Sequence, residues 1–209
     1  MGKRQAQKEI RRKAVLDLVR EDPFMTDEDL AETLNVSVPT VRLDRAELSI
    51  PELRERIRLL AAQTRGKVRS LAGGEIVGEI VELELNSGGV SILETDDGMV
   101  FEKTQVVRGH FIYALAESLA IAVITEDAAL VGFANIKYAV PVFAGSRLIA
   151  RCELRDIKVI GEKRFFVWVK IYVKKTEVFR GKFILVALGD GLAEDFAVVG
   201  GGAELLGSG

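Results

Sequence analysis

Near residue 72 the pattern of this 209-residue chain changes, and no single architecture continues across the change. Before it runs a basic stretch rich in Ala, Leu and Arg, with apolar residues at helical spacing. After it come short β-rich runs punctuated by glycine, interrupted by one long apolar segment, residues 109–125. A helix buries a stripe and a half-buried strand buries alternate residues, so the two halves need separate cores. With 48% hydrophobic residues the chain can fill both. The class this predicts is α+β.

Charge divides at the same place. Residues 1–72 carry 15 Lys/Arg against 12 Asp/Glu, whereas the remainder carries 14 against 19. A polyanion would be met by the front half, although so small an excess decides little alone. Cys152 is the only cysteine, which excludes an internal disulfide and a multi-cysteine metal site, and its alternating context reads as a strand residue. No metal site is expected. No stretch reaches the roughly 18 apolar residues of a membrane span, and the basic start lacks an apolar run behind it, so a cytoplasmic protein with no membrane partner is expected.

The front half parses into helices with identifiable ends. Ile10, Ala14 and Leu18, widened by Val15 and Leu16, mark the expected inner face of a first helix that Glu21-Asp22-Pro23 ends. Thr26 is placed to cap a short second helix whose first turn holds Asp27, Glu28 and Asp29, and Asn35 suits its left-handed end. Ser37 would cap a third helix with Pro39 in its first turn. Ala31, Asn35 and Val41 then fall at helix-turn-helix spacing: a small contact residue, a turn residue and a branched anchor. That phase leaves Thr40, Arg42 and Arg45 on the outer face, open to phosphates and base edges. Ser37, Thr40, Val41 and Arg42 resemble the recognition helix of the DeoR-like repressors, without an obvious wing strand after it. Lys3, Arg4, Lys8, Arg11, Arg12 and Lys13 face only Glu9, and read equally as a solvated face or a phosphate-binding arm.

From Ser49 and Glu52, spaced as a capping box, a further helix is expected with a narrow seam: Leu53, Ile57, Leu60, Thr64, Val68 and Leu71. Such a seam must be covered by a second subunit or by the following domain, which makes it a fixed spacer or a two-state element.

After it, strands are expected from Gly73 onward, around 129–138, 147–160 and 164–187, the last with a bend or hairpin near 175–181. Strands, one buried helix, then an antiparallel meander is the order of a hot-dog fold, a curved sheet wrapped around one helix. At the helix start, Arg108 offers a fork-shaped cation for a carboxylate, and Gly109 lets a ligand approach exposed amides closely. His110 is expected to pack or hydrogen-bond there, and Trp168 to pack on the sheet.

The segment FEKTQVVRGHFIYALAESLA closely resembles the matching stretch of the FapR family, malonyl-CoA-responsive repressors of bacterial lipid synthesis, and the likeness continues over nearly the whole chain to about Gly189. It implies a helix-turn-helix over 1–48, a linker helix over 49–72, a hot-dog domain over 73–189 and a Gly-rich tail, 190–209, without an implied role. It also implies a homodimer on a palindromic double-stranded DNA operator, no cofactor, and release from DNA by malonyl-CoA or malonyl-acyl carrier protein. In this family the arginine, here Arg108, holds the malonyl carboxylate and the glycine amide, here Gly109, the thioester oxygen. Phe101 and Leu130 match pocket-lining positions, and Ser37, Thr40, Arg42, Arg45, Lys3 and Arg4 are the expected DNA contacts.

One position departs from the family: Glu117 stands where an asparagine is characteristic. It could pair with Arg108 of a partner subunit, face water at the subunit seam, or serve as the catalytic carboxylate of a hot-dog acyl-CoA thioesterase with an appended DNA-binding domain.

Overall fold

The computed structural model describes residues 3–64, 66–72, 74–160 and 162–188, the side chains of residues 3, 4 and 160 excepted. The expected acidic tail, 190–209, lies outside the described residues. The chain forms two compact units that part between Gln63 and Thr64.

The first unit is helical: α1 (Lys3–Glu21), α2 (Asp27–Leu34), α3 (Val38–Glu47) and most of α4 (Leu53–Thr64). The expected caps of α2 form. Thr26 Oγ1 accepts from the Asp29 amide at 2.9 Å, Asp29 Oδ2 accepts from the Thr26 amide at 3.0 Å, and Asn35 ends the helix at φ 51°. Val19, Leu30, Ala31 and Val41 make the core, with Met25, Val36 and Ile50 against it.

Three expectations are corrected here. The inner face of α1 centres on Val15, expected only at its margin, and on Val19, while Ile10 is 71% exposed. The helix is rotated because Arg11 and Arg12, one turn before Val15, reach inward to Asp44 of α3 at 2.5 and 3.2 Å. Ser49 makes no capping box with Glu52, since it takes a left-handed conformation (φ 54°) and α4 starts only at Leu53. Finally, the helical part of the seam stops at Thr64. Val68 and Leu71 belong instead to the second unit and pack against its core.

Arg56, near the start of α4, ties that helix to the loop between α1 and α2. It donates to the carbonyls of Pro23 (3.1 Å), Met25 (2.6 Å) and Pro51 (2.8 Å), which fixes the direction in which α4 leaves the head.

The second unit is an antiparallel sheet in the order β1-β2-β4-β5-β6-β3, built from β1 (Glu79–Glu84), β2 (Gly88–Glu94), β3 (Ala129–Tyr138), β4 (Arg147–Ile160), β5 (Glu162–Val173) and β6 (Thr176–Ala187). α5 (Gly109–Ala122) lies against the inner face of this sheet, as the hot-dog order requires. Leu115, Ala116, Leu119 and Ala120 of α5 are fully buried with Phe165, Phe179, Phe183 and Leu185 of the sheet. The long run 164–187 divides into β5 and β6 at a tight turn with Lys174 left-handed (φ 53°). Before α5, where Met99-Val100-Phe101 reads as a short strand in the sequence, stands a 3-10 turn, Asp97–Met99, followed by a loop that a bridge, Val100 to Val107, closes below Arg108.

Candidate functional site

Two places carry chemistry, one in each unit. In the first, α3 presents Pro39, Arg42, Leu43 and Ala46 to solvent, with Thr40 half-buried. Ser37 stands at the N-cap but makes no cap hydrogen bond; its hydroxyl lies 2.9 Å from that of Thr40. The Arg42 side chain is 62% exposed, loosely held by Asp27 (3.4 Å) and Glu28 (3.9 Å), and can swing to a phosphate or a base edge.

Arg45 does not belong on that surface. It is 8% exposed, its Nε and Nη2 grip Asp27 at 2.8 and 3.0 Å, and its Nη1 donates to Ile50 O at 2.9 Å. The reason is helical phase. Val41 is the buried anchor, and residues three and four later share its face, so Asp44 and Arg45 turn inward with it. The same phase turns Leu43 outward, 66% exposed, a surface residue that the sequence reading missed.

The expected basic arm is largely neutralised within the head. Arg11 and Arg12 pair with Asp44, and Lys8 and Arg12 with Glu47. Lys13 is exposed, and the side chains of Lys3 and Arg4 lie outside the described residues. Two carboxylates therefore hold this unit together. For Asp27 the Arg45 hydrogen bond is the largest influence and draws its pKa below the ordinary value. For Asp44, burial is the largest single influence and pushes upward, but Arg11 and Arg12 together outweigh it and leave the carboxyl lowered. Lowered folded values mean that both contributions are complete above the unfolded carboxylate pKa of about 3.9 and are lost as pH falls through the folded values. The head is expected to lose helix below about pH 4, and less steeply in Asp27→Asn. Far-ultraviolet circular dichroism across an acid titration checks this; identical profiles for both chains would contradict it.

In the second unit, Arg108 is the N-cap residue of α5. Its Nη2 donates to Gly98 O at 2.5 Å and its Nε to Met99 O at 3.4 Å, and the guanidinium lies 5.0 Å over the Phe111 ring. The 3-10 turn thus acts as a rest that points a fixed cation across the positive end of the helix. Gly109 follows, and a Cβ there would lie 3.0 Å from Tyr138 Oη, which donates to Gly109 O at 3.0 Å. Tyr138, at the end of β3 with its ring edge-on to Phe179, therefore positions this end of the helix. Only the fold could bring it there, since it is 29 residues away in sequence.

His110 is exposed and its ring packs on Phe111 at 4.2 Å. Phe101 and Leu130 are both 54% exposed, and neither makes a ring contact or hydrogen bond with Arg108 among the described residues. Glu117 is half-buried and accepts from Tyr113 Oη at 3.3 Å, one helical turn earlier. The phenol is a partner that none of the three readings of Glu117 foresaw. Burial, then the charge of Glu117, raises the pKa of Tyr113, so it stays a donor at neutral pH. No group of His, Cys, Asp and Glu suited to a metal occurs among the described residues, and no helix there is long and apolar enough to cross a membrane.

Comparison with known proteins places both units. Residues 11–58 match the DeoR-like helix-turn-helix domain. The transcription factor FapR of Caldanaerobacter subterraneus subsp. tengcongensis is 52% identical over 89% of this chain and 90% of its own length. That of Thermoanaerobacter pseudethanolicus is 53% identical over 85% and 88%, and that of Bacillus cereus 45% over 88% and 92%. Among solved structures, an uncharacterised protein of Pyrococcus horikoshii superposes with a TM-score of 0.53 at 26% identity, covering 60% of this chain and 95% of its own. A sigma28-regulated virulence protein of Campylobacter jejuni gives 0.55 at 20%, covering 63% and 92%, a likeness of fold alone.

Proposed function

This chain belongs to the FapR family of transcription factors, and from that premise we propose that it is a repressor of fatty-acid and phospholipid synthesis genes that malonyl-CoA, or malonyl-acyl carrier protein, releases from DNA. DNA binding itself rests on the family and on the matched helix-turn-helix. The observation that carries the effector reading is the fixed Arg108 guanidinium at the N-terminus of α5. Two of its donors rest on carbonyls, and a carboxylate facing the remainder would gain charge-assisted hydrogen bonds. The thioester oxygen would take the Gly109 amide, where the helix end favours negative charge and glycine carries no side chain of its own. No cofactor enters this reading; malonyl-CoA is an effector.

The acting species is a homodimer in the cytoplasm. β3 is an edge strand, paired only with β6 among the described residues, and it exposes Leu130 and Phe133. A second copy would remove that unpaired edge, and a two-fold symmetric protein calls for a palindromic operator. Ligand and operator then oppose each other by linkage: if malonyl-CoA favours the arrangement that DNA disfavours, each weakens the other.

The relatives are transcription factors and not enzymes, so the hydrolase reading of Glu117 is set aside. The test is a titration of the protein bound to an operator recovered by selection from random duplexes. Malonyl-CoA should release it and acetyl-CoA, lacking the carboxylate, should not. Equal release by both, or by neither, would overturn the effector assignment.

A further inference from the structure

The outer face of the sheet, opposite α5, carries a cationic row that neither the helix-turn-helix nor the ligand site uses. Arg151 of β4 is paired with Lys170 of β5, Lys170 with Arg180 of β6, and Arg180 with Lys137 of β3. Four adjacent strands thus set four cations directly opposite one another, all exposed. In the next row Lys182 lies 4.5 Å over the ring of Trp168. Lys137, Trp168, Lys170, Arg180 and Lys182 line a shallow depression of about 470 Å³.

Like charges placed opposite across strands destabilise a sheet. Compensation within the chain is slight. Glu177 alone serves both Lys170 (3.8 Å) and Arg180 (3.7 Å), and Glu153 is taken by Arg155 at 2.7 Å. Lys137 and Arg151 form no ion pair among the described residues. Residues 73–209 hold more acids than bases, so the row is a concentration of charge and not the overflow of a basic domain.

We propose that this face is a second binding surface for the phosphate backbone of double-stranded DNA. The inference rests on DNA binding by the first unit, because that is the polyanion already held by a transcription factor. At about 4.8 Å between strands the row spans roughly 14 Å. That is the axial rise of about four phosphates on one strand of a duplex. Lysine and arginine stems are long enough to follow the track, and the contact carries no base preference.

The experiment titrates the full chain with a 40-base-pair duplex of mixed sequence over a salt series. Each phosphate contact contributes roughly 0.9 to the slope of log affinity against log salt. The triple variant Lys137→Gln/Lys170→Gln/Arg180→Gln should therefore show a slope shallower by about 2 to 3. Lys137→Arg/Lys170→Arg should keep the original slope, which separates lost charge from a disturbed sheet. Trp168 is the only tryptophan, and its emission should change when the duplex is added. An unchanged slope with unchanged emission overturns the proposal while leaving the head's binding intact. Emission that responds to removal of residues 190–209 without DNA, or to polyglutamate and not to the duplex, also overturns it, in favour of the chain's own acidic end or an acidic protein. In an Arg42→Ala background, with affinity about tenfold lower, the triple variant should still lower the slope by about 2 to 3, because head and sheet contact phosphates separately; no further change in slope there would overturn the proposal.

Discussion

Arg108→Ala is expected to bind operator DNA as the parent does and to ignore malonyl-CoA. The guanidinium sits in the second unit, at the rim of α5, and its hydrogen bonds go to the carbonyls of Gly98 and Met99 in a surface turn. Water can replace it at both carbonyls, so the fold should lose little. The effector would lose the partner of its carboxylate. Truncating one side of a desolvated, hydrogen-bonded charge pair typically costs about 2 to 5 kcal/mol, or on the order of 30-fold to several thousand-fold in affinity. Arg108→Lys should fall between, since it keeps the charge and loses the fork that rests on the turn while facing the ligand. Calorimetric titration with malonyl-CoA, beside a gel-shift assay of the same preparations, reads both halves of the expectation. Normal release from DNA in Arg108→Ala would place the carboxylate elsewhere.

The parts of this protein that were legible in its sequence are those fixed by local chemistry. Thr26 and Asp29 cap a helix through bonds three residues apart, Asn35 ends it because few other residues tolerate that backbone, and Arg108-Gly109 announces a helix start open to a ligand. The apolar surround of α5 required burial wherever the helix went. Illegible were the positions where a charged side chain does the work of an apolar one. A pattern that assigns charges to the outside put Arg11, Arg12 and Arg45 on the surface, yet two aspartates, the buried Asp44 and the half-buried Asp27, draw them in. Tyr138 was out of reach for a different reason, since only the β3–β6 pairing brings it to Gly109. The cationic row across four strands is a matter of register, which shows in no single segment.

That distinction between charges that hold the head and charges that serve DNA can be measured on one helix. Arg45→Ala should destabilise the first unit by roughly 2 kcal/mol, because it leaves the Asp27 carboxylate, only 16% exposed, with the longer Arg42 contact alone and frees the Ile50 carbonyl. Its loss of DNA binding should come with an early thermal transition of the helical unit while the sheet unit melts as before. Arg42→Ala removes a side chain that is 62% exposed and should leave the melting profile unchanged. It should nevertheless weaken DNA binding by about tenfold, the loss of one base-edge or phosphate contact. Asp27→Ala should behave as Arg45→Ala does, although aspartate could never bind a phosphate, and this pairing makes the test sharp. If Arg45→Ala melts normally and still fails on DNA, Arg45 leaves Asp27 to touch the duplex. If Asp27→Ala and Arg45→Ala fail together through an unstable head, the arginine on the recognition helix that matters for DNA is Arg42.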